Sequence, residues 1–147
     1  MQCRPFVTWK QGAETTVLAC ALMGCSTDVT PPTPPGGGQR LELSAEQFAS
    51  DVEPVLIAKG CDVGGDCHGG GIRGTFALSP ASAKDVEFDF EQARLQVRPT
   101  ERTESPLLTK PLAEPLGGAP HSYEPFASTD DPDYQAILGW INAGVLQ

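Results

Sequence analysis

The segment Gly60-Cys61-Asp62-Val63-Gly64-Gly65-Asp66-Cys67-His68-Gly69-Gly70-Gly71 separates two thiols by five residues and puts an imidazole directly after the second. Only one other histidine, His121, exists in the chain. Glycines on both sides let backbone approach a flat ligand closely, because no side chain stands in the way. Three chemistries use such a set. Both sulfurs can hold an organic group while the imidazole ligates its metal. Cys61 and Cys67 can form a disulfide across the Gly-Gly loop, leaving a stapled, cofactor-free lipoprotein that serves as a binding or interaction module. Cys61, Cys67, His68 and His121 can form a mixed tetrahedral site of the kind zinc accepts, although adjacent Cys67 and His68 are awkward ligands for one small ion.

Outward from this segment, helical signals bracket the folded region. Ser44-Ala45-Glu46-Gln47 has the capping-box arrangement. Phe48, Val52, Val55 and Leu56 follow at helical spacing, and Pro54 interrupts them, so this helix is kinked there or split in two. At the far end Asp131 caps a helix whose first residue is Pro132, where a missing amide costs nothing. Tyr134, Ile137, Leu138 and Ile141 then recur on one face, and Gly144 is a natural stop. A weaker helix is predicted over about Val86 to Gln96, and Phe76-Ala77-Leu78 suits a short extended piece. Phe48, Tyr134 and Trp140 are assigned to the core, since helical aromatic residues usually pack on one another. Residues 41–147 contain 11 glycines and 9 prolines, mostly outside these helices. Such a chain gains little from regular structure, so a large apolar cofactor or a disulfide is expected to supplement side-chain packing.

The amino-terminal part reads as targeting rather than fold. Arg4 and Lys10 precede the apolar run Thr15 to Gly24, whose ten residues are too few to span a bilayer. Leu22-Met23-Gly24-Cys25 resembles the bacterial lipobox, which implies a signal peptide over 1–24, lipidation of Cys25 and attachment to a membrane without a spanning helix. Ser26 resembles an outer-membrane address, so the expected location is the periplasm or cell surface. Residues 25–40 hold the lipidation site and a Pro/Gly linker, and the domain is expected over 41–147. The net charge of -9 becomes 8 basic against 18 acidic residues after cleavage. Scattered cations in such an excess of acid argue against a nucleic-acid partner.

Two thiols followed at once by histidine are also the attachment motif of c-type cytochromes, in which the thiols add to haem vinyl groups and the histidine meets the iron. The usual spacing is C-x-x-C-H; the loop here is wider and would bulge at Gly64-Gly65. Phe48 to Cys61, FASDVEPVLIAKGC, followed by Cys67-His68-Gly69, resembles the opening of cytochrome c-like domains in myxobacterial and planctomycete surface proteins. Phe76-Ala77-Leu78-Ser79, Ser105 to Pro111, Gly117-Gly118-Ala119-Pro120-His121 and Tyr134 to Gly144 continue the pattern over residues 44 to 144. The resemblance implies an all-α, cytochrome c-like domain with long Gly/Pro-rich loops, carrying covalent haem c on Cys61 and Cys67. It implies electron transfer with a redox partner protein and no reaction on a substrate. His68 is the expected iron ligand. Met1 and Met23 both precede Cys25, so a methionine ligand from the mature chain is excluded and His121 is the candidate sixth ligand. Arg73 and Lys110 are candidate partners for the propionates, or simply solvated surface cations. No H-E-x-x-H, G-x-S-x-G or phosphate loop is present.

Overall fold

A computed structural model describes residues 39–64, 67–70 and 75–147. The signal peptide, Cys25, most of the Pro/Gly linker, Gly65-Asp66 and Arg73 lie outside the described residues.

Ser44 opens the first helix as its sequence requires: its Oγ accepts from the Gln47 amide at 3.1 Å, capping α1 (Ala45–Gln47). The chain then passes through a wide π-type turn, Phe48–Val52, into α2 (Glu53–Ala58). The Glu53 amide bonds back five residues to the Phe48 carbonyl. Pro54 has no amide to donate, and the wide turn immediately before it places the proline in the first turn of α2, where no amide is needed. The helical path therefore neither breaks nor ends at Pro54.

After the cysteine loop comes α3 (Val86–Arg94), capped by Asp85, whose carboxylate accepts from the Phe88 amide at 3.0 Å. A short helix α4 (Pro106–Thr109) and several single turns lead to α5 (Pro132–Ala143). Asp131 Oδ1 accepts from the Asp133 amide at 2.8 Å, as the Asp-Pro pair predicts. None of the described helices is long and apolar enough to cross a membrane.

The domain is mostly helical but not strictly all-α. Strands β1 (Leu41–Glu42) and β2 (Val145–Leu146) pair antiparallel, with Leu41 opposite Leu146, and tie the two ends of the domain together. Arg102 clamps this junction by donating to the carbonyls of Asn142 at 2.8 Å and Gly144 at 3.0 Å. Phe76-Ala77-Leu78 belongs to no sheet strand; its Leu78 amide bonds the His68 carbonyl at 3.0 Å.

The core lies where α1, the π turn and α5 meet. Phe48 and Trp140 are wholly buried with ring centroids 5.4 Å apart, and Phe90 packs edge-on to Phe48 at 5.7 Å. Trp140 Nε1 donates to the Ser44 carbonyl at 2.9 Å, so its one polar atom is satisfied while the ring fills the core. Tyr134 packs against Phe126 at the other end of α5, with centroids 5.7 Å apart.

Candidate functional site

Both histidines and both described loop cysteines line one apolar cavity of about 470 Å³, within the size range of cofactor pockets. Val55 and Leu56 of α2, Leu107 of α4 and Ile137 of α5 line it together with Phe76 and Phe126.

Backbone bonds, rather than packing, position His68. The Cys61 amide bonds the Leu56 carbonyl at 2.9 Å, extending α2 into the loop, and the His68 amide bonds the Cys61 carbonyl at 3.0 Å. Gly69 passes so close beneath the loop that a Cβ there would stand 1.6 Å from the Asp62 carbonyl oxygen. Glycine is therefore required at that position by contact, not by a left-handed φ. His68 Nδ1 lies 3.1 Å from the Phe76 carbonyl, which can only accept, so Nδ1 carries the proton and Nε2 the lone pair. Burial, the largest influence, holds the His68 imidazole below its ordinary pKa, so it is neutral at neutral pH.

His121 arrives from the opposite side on a loop that folds back onto the chain preceding it. Gly117 takes a left-handed φ of +90°, and a Cβ on Gly118 would stand 1.8 Å from the Leu112 carbonyl oxygen. The Ala119 amide bonds the Thr109 carbonyl at 2.8 Å, and Lys110 Nζ donates to the Pro120 carbonyl at 3.1 Å. His121 Nδ1 lies 2.6 Å from the Tyr123 carbonyl, which fixes the same tautomer as in His68. The two imidazoles end 6.0 Å apart between centroids, with planes only 8° from parallel.

Cys61 and Cys67 carry free thiols. Burial pushes the Cys61 thiol up to about 11, with Asp62 and Cys67 adding to the effect, so it is protonated at neutral pH. Among the described residues, no three His, Cys, Asp or Glu groups converge in a manner that would hold a bare metal ion.

The pocket's cations are Lys59 and Lys110. Lys59 pairs with Asp133 at 2.9 Å and Asp131 at 3.6 Å, and its ammonium lies 5.3 Å from the Phe126 ring centroid. The Asp131 and Asp133 carboxylates therefore cap α5 and hold Lys59 at the pocket wall. Lys110 was legible as a candidate cation; Lys59 was not, because its place depends on where α5 docks. The pocket also takes in Gln96, whose Nε2 donates to the Thr75 carbonyl at 3.0 Å. Nothing in the local pattern around Gln96 signals that role.

A second cluster escaped the sequence reading. Glu53, Asp62 and Asp89 are almost wholly buried around the ammonium of Lys84. The signal available was Glu53 between Val52 and Val55 on an apolar helix face, a charge where a core residue belongs.

Compared with known proteins, the chain matches no family model, no curated protein and no solved structure.

Proposed function

We propose that this domain is a haem-binding electron carrier of the c-type cytochrome class, with His68 and His121 as the two axial ligands and Cys61 and Cys67 as the covalent attachment points. The observation that carries the reading is the histidine pair. His68 and His121 stand 6.0 Å apart between ring centroids with nearly parallel planes at one cavity, where the two imidazoles would hold one metal-bearing group between them. Each ring also gives its Nδ1–H to a backbone carbonyl, the outer contact that metal-bound histidines almost always make and that aims Nε2 at the metal. The apolar walls and the two cysteines at the same cavity suit a covalently held porphyrin.

When bound, haem iron supplies reversible one-electron chemistry. The chain's own residues do the rest. His68 and His121 would hold the iron, and two imidazoles in place of an imidazole and a thioether would favour its oxidised state. Val55, Leu56, Leu107 and Ile137 exclude water from the macrocycle face. Lys59 and Lys110 are the cations within reach of the propionates. The proposed role is electron transfer to and from a redox partner protein, without reaction on a substrate and without a nucleic-acid partner. The finer fold assignment, a cytochrome c-like helical domain, belongs to this same proposal. So do export, lipidation at Cys25 and attachment to the outer membrane on the periplasmic or cell-surface side.

The stapled, cofactor-free alternative uses the same two thiols, Cys61 and Cys67. A pyridine haemochrome spectrum of protein matured in a host with cytochrome c assembly separates the two. A c-type α band that survives acid-acetone extraction supports haem. Colourless protein without free thiols would establish the disulfide module. Within a haem-bearing protein, His121→Ala should convert a low-spin spectrum to high-spin; an unchanged spectrum removes His121 as ligand.

A further inference from the structure

Asp62 follows the attachment residue Cys61, and Ser79 follows Leu78, whose amide holds the His68 carbonyl. These two positions, flanking the backbone that carries His68, meet at one buried ionic cluster. Asp89 of α3 is fully buried; its Oδ1 accepts from the Ser79 amide at 2.5 Å, and its Oδ2 accepts from Ser79 Oγ at 2.7 Å and from Lys84 Nζ at 2.6 Å. Three hydrogen bonds, two from Ser79 and one from Lys84, thus satisfy both oxygens of the Asp89 carboxylate. Lys84 Nζ also lies 2.8 Å from Glu53 Oε1 and 3.5 Å from Asp62 Oδ2. One ammonium, itself held protonated by Asp89 and Glu53 against the effect of burial, thus faces three carboxyl groups among the described residues.

Burying that excess of negative charge without compensation is costly. Glu53 is a loosely held member: its side chain is 4% exposed, and its Oε2 has no hydrogen-bond partner among the described residues. The charged groups facing it are Lys84, from the segment before α3, and Asp89, from α3, with Asp62 on the same ammonium. We propose that Glu53, Asp62, Asp89 and Lys84 form a buried proton-binding site beneath the cysteine loop, with Glu53 taking a proton from water whenever the cofactor accepts an electron from a one-electron donor. The balance is one electron to the iron and one proton to the Glu53 carboxylate, so the buried charge of the domain is unchanged. The geometry provides the linkage: Asp62 follows Cys61, Asp89 holds Ser79 next to the residue bonded to the His68 carbonyl, and Glu53 joins both through the Lys84 ammonium. Burial also keeps the Glu53 carboxyl above its ordinary pKa, bringing its titration toward neutral pH. Oxidised cofactor nearby lowers this proton affinity, and reduction restores it.

This inference rests on the haem reading of the adjacent pocket, and the experiment keeps the two apart. Mature, haem-loaded protein is titrated stepwise with dithionite across about pH 5 to pH 9, and its midpoint potential is followed optically. The expected result is a potential that falls with rising pH over part of that range, approaching about 59 mV per unit where one proton accompanies one electron. Glu53→Gln keeps the haem spectrum and loses the slope. Lys84→Gln, which removes the cation opposing protonation, moves the slope to higher pH. Infrared difference spectra supply a direct readout: reduction adds a protonated-carboxyl band in the wild type and none in Glu53→Gln. A pH-independent potential in haem-loaded protein, or a slope that survives in Glu53→Gln, overturns the proton site while the haem assignment stands. Colourless protein overturns both.

Discussion

The two ends of the domain and the cavity lined by the histidines are built by different means. Where α1, the π turn and α5 meet, large side chains interlock around Phe48 and Trp140, both fully buried. Around the pocket, single backbone bonds and close glycine contacts hold two histidines in place over a cavity of about 470 Å³. One region is held by interlocked side chains; the other rests on the same core but is shaped by backbone contacts. The difference explains why a chain so rich in glycine and proline folds at all: its packing is concentrated in one half, and its irregular segments are grouped in the other.

The largest blow to the packed half should be Trp140→Ala. Removing a buried tryptophan leaves a cavity and leaves the Ser44 carbonyl with the Phe48 amide alone, and a loss of about 3–5 kcal/mol is expected in urea unfolding. A loss below about 1 kcal/mol would show that this half is not the stabilising one.

Glycine substitutions sharpen the contrast within one residue type. Gly69→Ala or Gly118→Ala drives a methyl group into a backbone oxygen, at 1.6 Å and 1.8 Å, and should cost about 1–3 kcal/mol together with cofactor loading. Gly139, inside α5, has open space where its Cβ would be. Gly139→Ala should therefore stabilise the domain by up to about 1 kcal/mol through helix propensity. If all three behave alike in thermal unfolding, the distinction between the halves is wrong.

Asp131→Ala removes an N-cap from α5 and a partner from Lys59. The cap alone predicts a loss of about 1 kcal/mol. Because Lys59 keeps its closer partner, Asp133, at 2.9 Å, cofactor loading should be retained. Haem content and unfolding free energy, measured on the same preparation, test both statements.

The smallest effect expected is a pH dependence of stability. Glu53 binds its proton more tightly in the folded state than in the unfolded one, mainly through burial, so its ordinary value of 4.5 marks the lower edge of the window. The stabilisation is present in full below that value and is lost as pH rises through the raised folded-state value. Unfolding free energy should accordingly decline on the alkaline side of that window, and Glu53→Gln should flatten the decline. A wild type whose stability is level there would contradict a protonated Glu53.

Helix ends were legible in the sequence because caps are local: Ser44 and Asp131-Pro132 act through amides two or three residues away. Asp85 does the same for α3 and was readable by the same rule, but the weak amphipathicity of that helix drew attention from it. The β1–β2 pair was not legible, since two residues per strand show no alternation and the partners lie at opposite ends of the domain. Pro54 signalled a disturbance without specifying that a wide turn would absorb it. In the site, residue chemistry singled out Cys61, Cys67, His68 and His121. Their convergence on one cavity, with the imidazoles almost parallel, depends on how the Gly117–His121 loop folds back, which no local pattern encodes. The Lys84 cluster was hidden for the same reason, its members coming from α2, two loops and α3.

The most direct test of the central claim is the mass of the proteolytic peptide containing Cys61 and Cys67, taken from protein expressed with cytochrome c maturation. The account predicts a peptide heavier by one haem, with both sulfurs in thioether linkage. A peptide whose mass corresponds to a Cys61–Cys67 disulfide, with no haem on any fragment, would contradict it.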